Sequence, residues 1–196
     1  CRGRPPAARR RAQSRERGEE VLEWVPPEGL PPPPRQPHAA LGVCLGAQLL
    51  AEVAGGRVTR THAPEIGWRS VQLEPAAGRD PLLGSLPERF EGFQWHSYQL
   101  TPPPGASVLA RSAACRQAFR VARAPWWGIQ FHAEVTGESI DGWSDDYRSY
   151  PDAVAAAIDW TALRDASRRQ IGRWNSLGAQ LYAGFLEHAG TLAAAR

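Results

Sequence analysis

The sequence predicts an α/β fold: a three-layer αβα sandwich with a mostly parallel central sheet and a small antiparallel extension. Three observations lead there. A short apolar run, Ala39 to Val43, reads as a buried strand, and it runs through Cys44, set between Gly42 and Gly46, into the helix-start residues Gln48 to Glu52. A second aromatic and apolar run, Trp126 to Phe131, reads as another buried strand and ends in His132-Ala133-Glu134. Two helical patterns close the chain. Open α/β sheets build their sites at the carboxyl ends of such strands, and Cys44 and His132 both fall there.

The first run has the parts of a nucleophile elbow, with sulfur where the hydrolase version has serine. Glycines suit the flanks of such a residue, because the turn is strained and neighbouring backbone comes close. The helix N-terminus behind the turn favours the thiolate, the form that attacks. A nucleophilic cysteine needs a base, and the base needs an orienting group. His132 and Glu134, two apart on an extended chain, point to one side. That spacing lets the carboxylate hold one ring nitrogen while the other faces the sulfur. Alone, a buried cysteine is usually a small core hydrophobe; the pair together points to covalent catalysis.

Between the two runs the pattern is strands and turns. Gly55-Gly56 stops the first helix, the common glycine C-cap signal. Arg57 to Thr61, Trp68 to Leu73, Phe90 to His96, Ser107 to Ala110 and Gln117 to Val121 are candidate short strands. Arg57 to Val121 is expected to form the antiparallel extension, carrying a loop with His96 over the pocket. Pro151 to Arg169 predicts a helix with Pro151 in its first turn, and Trp174 to Leu192 predicts another.

Composition bounds the rest. The 196 residues carry a net charge of +3, which comes entirely from residues 1–43, with eight Arg against five Glu. The remainder is balanced, so charge gives no argument for a nucleic-acid partner. Three cysteines, Cys1, Cys44 and Cys115, make no disulfide framework. A Cys44 that must stay reduced suits the cytoplasm. No stretch approaches the ~20 apolar residues of a membrane span, and no membrane partner is expected. The histidines and cysteines lack the close pairs of a structural zinc site, so no metal ligands are assigned. No phosphate loop of the GxxxxGK[ST] type occurs, so neither ATP nor any other cofactor is expected. The eight tryptophans are expected to pack in the core rather than stack bases.

Gly42-Val43-Cys44-Leu45-Gly46-Ala47-Gln48 and Gly128-Ile129-Gln130-Phe131-His132-Ala133-Glu134 resemble the two signature motifs of class I (triad) glutamine amidotransferases, nearest the stand-alone, GMP-synthase-like members. Glu65-Ile66-Gly67-Trp68, Gln94-Trp95-His96-Ser97, Pro104-Gly105-Ala106 and Gln117-Ala118-Phe119 are similar to that subgroup in the same order. The resemblance implies a flavodoxin-like sandwich and a Cys44–His132–Glu134 triad that hydrolyses the side-chain amide of glutamine, or of a related γ-glutamyl amide, through a glutamyl thioester. It implies an oxyanion donor at the backbone of Leu45. It also implies that Gln48 and the backbone around His96, Ser97 and Tyr98 hold the amino-acid end of the substrate. A separate synthase subunit would use the ammonia.

The family's upstream strands, ending in a Gly-Gly-Pro turn, have no counterpart. Residues 1–43 hold eight Arg, nine Pro and no Gly-Gly pair. Such composition predicts disorder for residues 1–38, leaving 39–196 as an amidotransferase-like domain incomplete at its N-terminus. The chain has no Met, and all 23 basic residues are Arg, as in translation of GC-rich DNA. We therefore expect that residues 1–38 replace a segment lost by truncation or frameshift. A polypeptide so altered is expected to be catalytically silent if the lost oxyanion donor is indispensable.

Overall fold

A computed structural model describes residues 38–122 and 124–194; apart from His38, the segment expected to be irregular lies outside the described residues. One six-stranded sheet runs through the structure, built from β1 (Ala40–Val43), β2 (Arg57–Leu73), β3 (Arg89–Thr101), β4 (Ser107–Arg111), β5 (Arg116–Arg120) and β6 (Trp126–Ile129). Its spatial order is β1-β6-β5-β4-β2-β3. Helix α1 (Leu45–Val53) follows β1, and α2 (Gly137–Tyr147), α3 (Pro151–Ala155) and α4 (Trp160–Ala194) follow β6.

The expected mostly parallel sheet is not what forms. Only β1 and β6 run parallel, in the register Ala40↔Trp126 to Val43↔Ile129. Every other pairing is antiparallel. Connection length explains this: the links Ser112–Cys115 and Val121–Pro125 are far too short for a parallel crossover, which needs a dozen residues or more. The antiparallel part is therefore most of the described sheet rather than a small extension. Two of the expected strands, Arg57–Thr61 and Trp68–Leu73, are one long β2, with an irregularity in its pairing to β3 between Arg60 and Glu65.

Helices cover both faces. Ala118 and Phe119, adjacent on β5, enter different apolar clusters, as strand alternation requires. Ala47 and Ala51 of α1 pack with Val58, Leu100 and Phe119. The larger cluster joins Trp68, Phe90, Phe93, Trp127 and Phe131 to Leu163, Trp174 and Leu181 of α4. Five of the eight tryptophans serve the core as expected: Trp68, Trp127 and Trp174 are buried, and Trp95 and Trp143 pack against that cluster; Trp126 and Trp160 are half-buried, and Trp24 lies outside the described residues.

The C-terminal half departs from expectation in its helix boundaries. Pro151 starts only the short α3, which ends before Ala157, a residue held at φ 48°. Asp159 then caps the long helix, its carboxylate accepting from the Ala162 N–H at 2.9 Å. From there α4 runs unbroken through the expected gap between residues 169 and 174. Helix α2, which the pattern did not suggest, starts at Thr136, whose hydroxyl accepts from the Ser139 N–H at 3.1 Å. Among the described residues no helix is long and apolar enough to cross a membrane.

Candidate active site

The parallel pair places the two motifs side by side. Val43 and Ile129 are register partners, so Cys44 and Gln130 leave adjacent strand ends together. Cys44 sits at φ 48° and ψ −106°, a conformation that costs a non-glycine residue about 1–3 kcal/mol. It is clamped on both sides. Its N–H donates to the Ile129 carbonyl at 2.8 Å, and its own carbonyl accepts from the Gln48 N–H at 3.0 Å, the first bond of α1. The helix therefore begins at Leu45, three residues before the expected Gln48, with its unpaired N–H groups beside the sulfur.

The two flanking glycines differ in their reasons. A Cβ at Gly42 would lie 2.5 Å from the carbonyl carbon and oxygen of Gly46, so only glycine lets β1 approach α1 so closely. A Cβ at Gly46 meets nothing within 4 Å. Close approach thus explains Gly42 and not Gly46.

His132 follows β6, which ends at Ile129 rather than running to Phe131. His132 and Glu134 meet through a turn instead of an extended strand, with Nδ1 and the carboxylate 2.6 Å apart. The backbone is fixed at the same point: the His132 N–H donates to the Phe93 carbonyl and the Trp174 Nε1–H donates to the His132 carbonyl, both at 2.8 Å. Gly178 has no side chain to hold α4 away, since a Cβ there would strike the Ala133 carbonyl. Trp143 stands edge-on to the ring, with centroids 5.0 Å apart. The other ring nitrogen, Nε2, is buried and makes no hydrogen bond. Burial opposes a charged ring, yet the Cys44 sulfur and the Glu134 carboxylate outweigh it and raise His132 to about 9. Burial first, and then the Glu134 charge, push Tyr182 up to about 12.

Gln48 turns inward and donates to the Tyr98 carbonyl at 3.1 Å and the Gln130 side-chain oxygen at 3.2 Å. Gln130 in turn places its amide nitrogen 3.5 Å from the Cys44 sulfur, and the Trp95 carbonyl lies 3.8 Å from the same atom. Cys44, Gln48, His132, Glu134 and the Tyr98 backbone thus share one site. Ser97 lies beside Tyr98 on β3, but its hydroxyl donates to Asp152 at 2.6 Å and its carbonyl accepts from Thr61 at 3.0 Å. His96 is part of the strand β3, not of a loop, and its ring turns inward, with Nε2 3.3 Å from Glu65.

Gln130, Trp143 and Trp174 were not singled out from sequence. Gln130 had a usable signal: it stands two residues before His132 in the same motif. Trp174 had none, because its partner is a backbone carbonyl 42 residues away.

The family described as glutamine amidotransferase class-I matches residues 35–142, more than half of the chain. The chain belongs to the class I glutamine amidotransferase family. It is 39% identical over 145 residues to a glutamine-hydrolysing GMP synthase of Thermomicrobium roseum, covering 73% of this chain and 25% of that protein. It is 36% identical over 97 residues to one subunit of the glutamine-hydrolysing GMP synthase of Ignicoccus hospitalis, covering 48% of this chain and 50% of the relative. The chain thus spans a quarter to a half of the length of these curated relatives. Its fold is similar to that of a glutamine amidotransferase of Thermotoga maritima, with TM-score 0.64 at 28% identity over 76% of this chain and 61% of the other. A glutamine amidotransferase of Methylobacillus flagellatus gives TM-score 0.60 at 30% identity, over 75% and 61%.

Proposed function

We propose that the chain is the glutaminase part of an amidotransferase, releasing ammonia from the side-chain amide of glutamine with Cys44, His132 and Glu134 as the catalytic triad. One observation carries the reading: a strained cysteine at a helix N-terminus and an imidazole held by a carboxylate at 2.6 Å follow the same ends of the register-paired parallel strands β1 and β6. His132 Nε2 takes the thiol proton, and the sulfur attacks the amide carbon. The oxygen of the tetrahedral intermediate gathers negative charge, and in this reading the N–H of Leu45, the residue after the nucleophile, donates to it. Collapse breaks the C–N bond as His132 returns the proton to the departing ammonia, leaving a glutamyl thioester. Water, deprotonated by His132, then attacks the thioester, giving glutamate and restoring the thiol.

Glu134 keeps the Nδ1 proton in place and stabilises the imidazolium. The Gln48 amide, set between the Tyr98 carbonyl and Gln130, orders the floor on which the amino-acid end of glutamine rests. The relatives named as single subunits of GMP synthase support the further reading that the ammonia passes to a separate synthase chain. Residues 39–196 act as one domain in this scheme.

The test is incubation of the protein with glutamine, other γ-glutamyl amides and a glutamine-mimicking electrophile, with Cys44→Ala as control. Ammonia release and selective labelling of Cys44 are expected, both absent from the variant. Release from another γ-glutamyl amide alone identifies a γ-glutamyl hydrolase. Equal activity in the variant ends the triad proposal, and a wild type inert to both reagents identifies a silent member of the family.

A further inference from the structure

On the inward side of β3 from the catalytic cysteine, a second set of chemically capable side chains meets in the interior. Glu65 and His96 are register partners across β2 and β3. Cys115 and Gln117 come to them from the turn and first residues of the β4–β5 hairpin. One carboxylate oxygen, Glu65 Oε2, has His96 Nε2 at 3.3 Å, the Cys115 sulfur at 3.2 Å, the Gln117 amide nitrogen at 3.0 Å and Ser112 Oγ at 3.2 Å. The Gln117 amide nitrogen is also 3.4 Å from the Cys115 sulfur. The carboxylate, imidazole and sulfur atoms all lie within 4.8 Å of one another.

Two independent observations mark this cluster as more than a core knot. Of the five buried side-chain atoms without a hydrogen-bond partner among the described residues, three belong to these residues and their neighbour Gln94: Gln94 Nε2, His96 Nδ1 and Gln117 Oε1. Buried polar groups are otherwise nearly always satisfied; the ring and amide atoms that meet Glu65 are His96 Nε2 and Gln117 Nε2, and Gln117 Oε1 reaches the cluster when that amide turns over. A surface cavity of about 580 Å³, bounded by Gln99, Ser112 and Cys115 among others, also gives a way in from solvent.

We propose that Glu65, His96 and Cys115 bind a divalent cation of the zinc class, with the Gln117 side-chain oxygen as fourth ligand once its amide turns over. The donor set selects that class: sulfur and imidazole with one carboxylate suit zinc, whereas magnesium and calcium take oxygen alone. The spacing is within reach. Ligand bonds of about 2.0–2.3 Å in a tetrahedron put neighbouring donors roughly 3.3–3.7 Å apart, so the pairs around Glu65, now at 3.0 to 3.3 Å, need to open by only a few tenths of an ångström to admit the ion. Amide turnover costs no volume, since the nitrogen and oxygen of Gln117 exchange places. Without a cation that exchange would set a carbonyl oxygen against a carboxylate oxygen; with one between them both are ligands. As the sulfur–metal bond forms, the Cys115 thiol proton leaves to solvent. The two charges of the cation then balance Glu65 and the thiolate, and the buried centre is neutral. This inference goes beyond the glutaminase reading and does not depend on it.

Titration of the full chain with Co2+ alone tests it. Expected are one equivalent bound, a thiolate-to-cobalt charge-transfer band and the strong visible bands of tetrahedral cobalt, all displaced by Zn2+. The Cys44→Ala variant should keep these spectra, Cys115→Ser should lose the charge-transfer band, and Glu65→Gln should bind about tenfold more weakly or worse. No charge-transfer band in the wild type, a band surviving Cys115→Ser, or a band lost in Cys44→Ala would each overturn the proposal. If Cys115→Ser fails to fold by circular dichroism, the double variant Cys1→Ser, Cys44→Ala decides the matter: with Cys115 its one remaining cysteine, it should keep the charge-transfer band, and loss of the band would overturn the proposal.

Discussion

Alanine at Gly42 and at Gly46 are chemically the same substitution two residues either side of Cys44, and the structure gives them opposite signs. At Gly42 the new Cβ would lie 2.5 Å from the Gly46 carbonyl carbon and oxygen and 2.7 Å from the Ala47 nitrogen. Every atom it meets is backbone of the first turn of α1, so no side chain can swing aside. Strand and helix must separate by close to 1 Å, and overpacking of that kind costs about 1–3 kcal/mol, here at the upper end. At Gly46 the Cβ meets nothing within 4 Å, and the position is helical. Alanine there should gain up to about 1 kcal/mol by helix propensity. The variants should therefore differ by about 3 kcal/mol, or roughly 6–12 °C in Tm for a domain of this size. Thermal unfolding measures it, and alkylation of Cys44 gives a second readout. A displacement of about 1 Å between nucleophile and base can cost ~100-fold in rate, so Gly42→Ala should also react slowly. A Gly46→Ala variant as unstable as Gly42→Ala would refute the reasoning.

Three further outcomes are expected. Glu134→Gln removes one of the two groups that raise His132, so its ring titration, followed by NMR, should move from about 9 towards the ordinary 6.5; an unmoved midpoint would mean that the carboxylate does not act on the ring. Because the folded-state value lies above the ordinary one, the imidazolium stabilises the fold in full below about pH 6.5, and that contribution is lost as pH rises through about 9. The Tm advantage of wild type over His132→Gln should shrink across that window, and an advantage that grows with pH would contradict the assignment. Trp174→Phe keeps the aromatic packing but strips the donor from the His132 carbonyl, and should cost about 1–3 kcal/mol in urea unfolding; a cost within about 0.5 kcal/mol would mean that water replaces the indole N–H.

The site was more legible in the sequence than the sheet that carries it, for a physical reason. An elbow is specified locally: a strand, a cysteine forced to positive φ, and a helix whose first bond is made by Cys44 itself. The bond between His132 and Glu134 spans two residues and so is written in the sequence directly. Strand direction is not local in that way. The runs Ser107–Ala110 and Gln117–Val121 read equally well as parallel or antiparallel by alternation alone, and only the length of the link between them decides. Both runs were expected to pair antiparallel within the extension, and they do; what stayed hidden was its share of the sheet, because only β1 and β6 pair parallel among the described residues. The same limit hid the Glu65 cluster. Its histidine and cysteine come from different hairpins, and what joins them is the pairing Glu65↔His96 together with the fold of β4 and β5 back beneath it. A rule that seeks zinc ligands in close sequence pairs passes over such a set. That hairpin brings the cluster under β3, the strand whose Trp95 and Tyr98 carbonyls face Cys44 and Gln48. A cation gripping His96 would therefore stiffen the strand that forms one wall of the glutamine site, tying the two centres together through three residues of backbone.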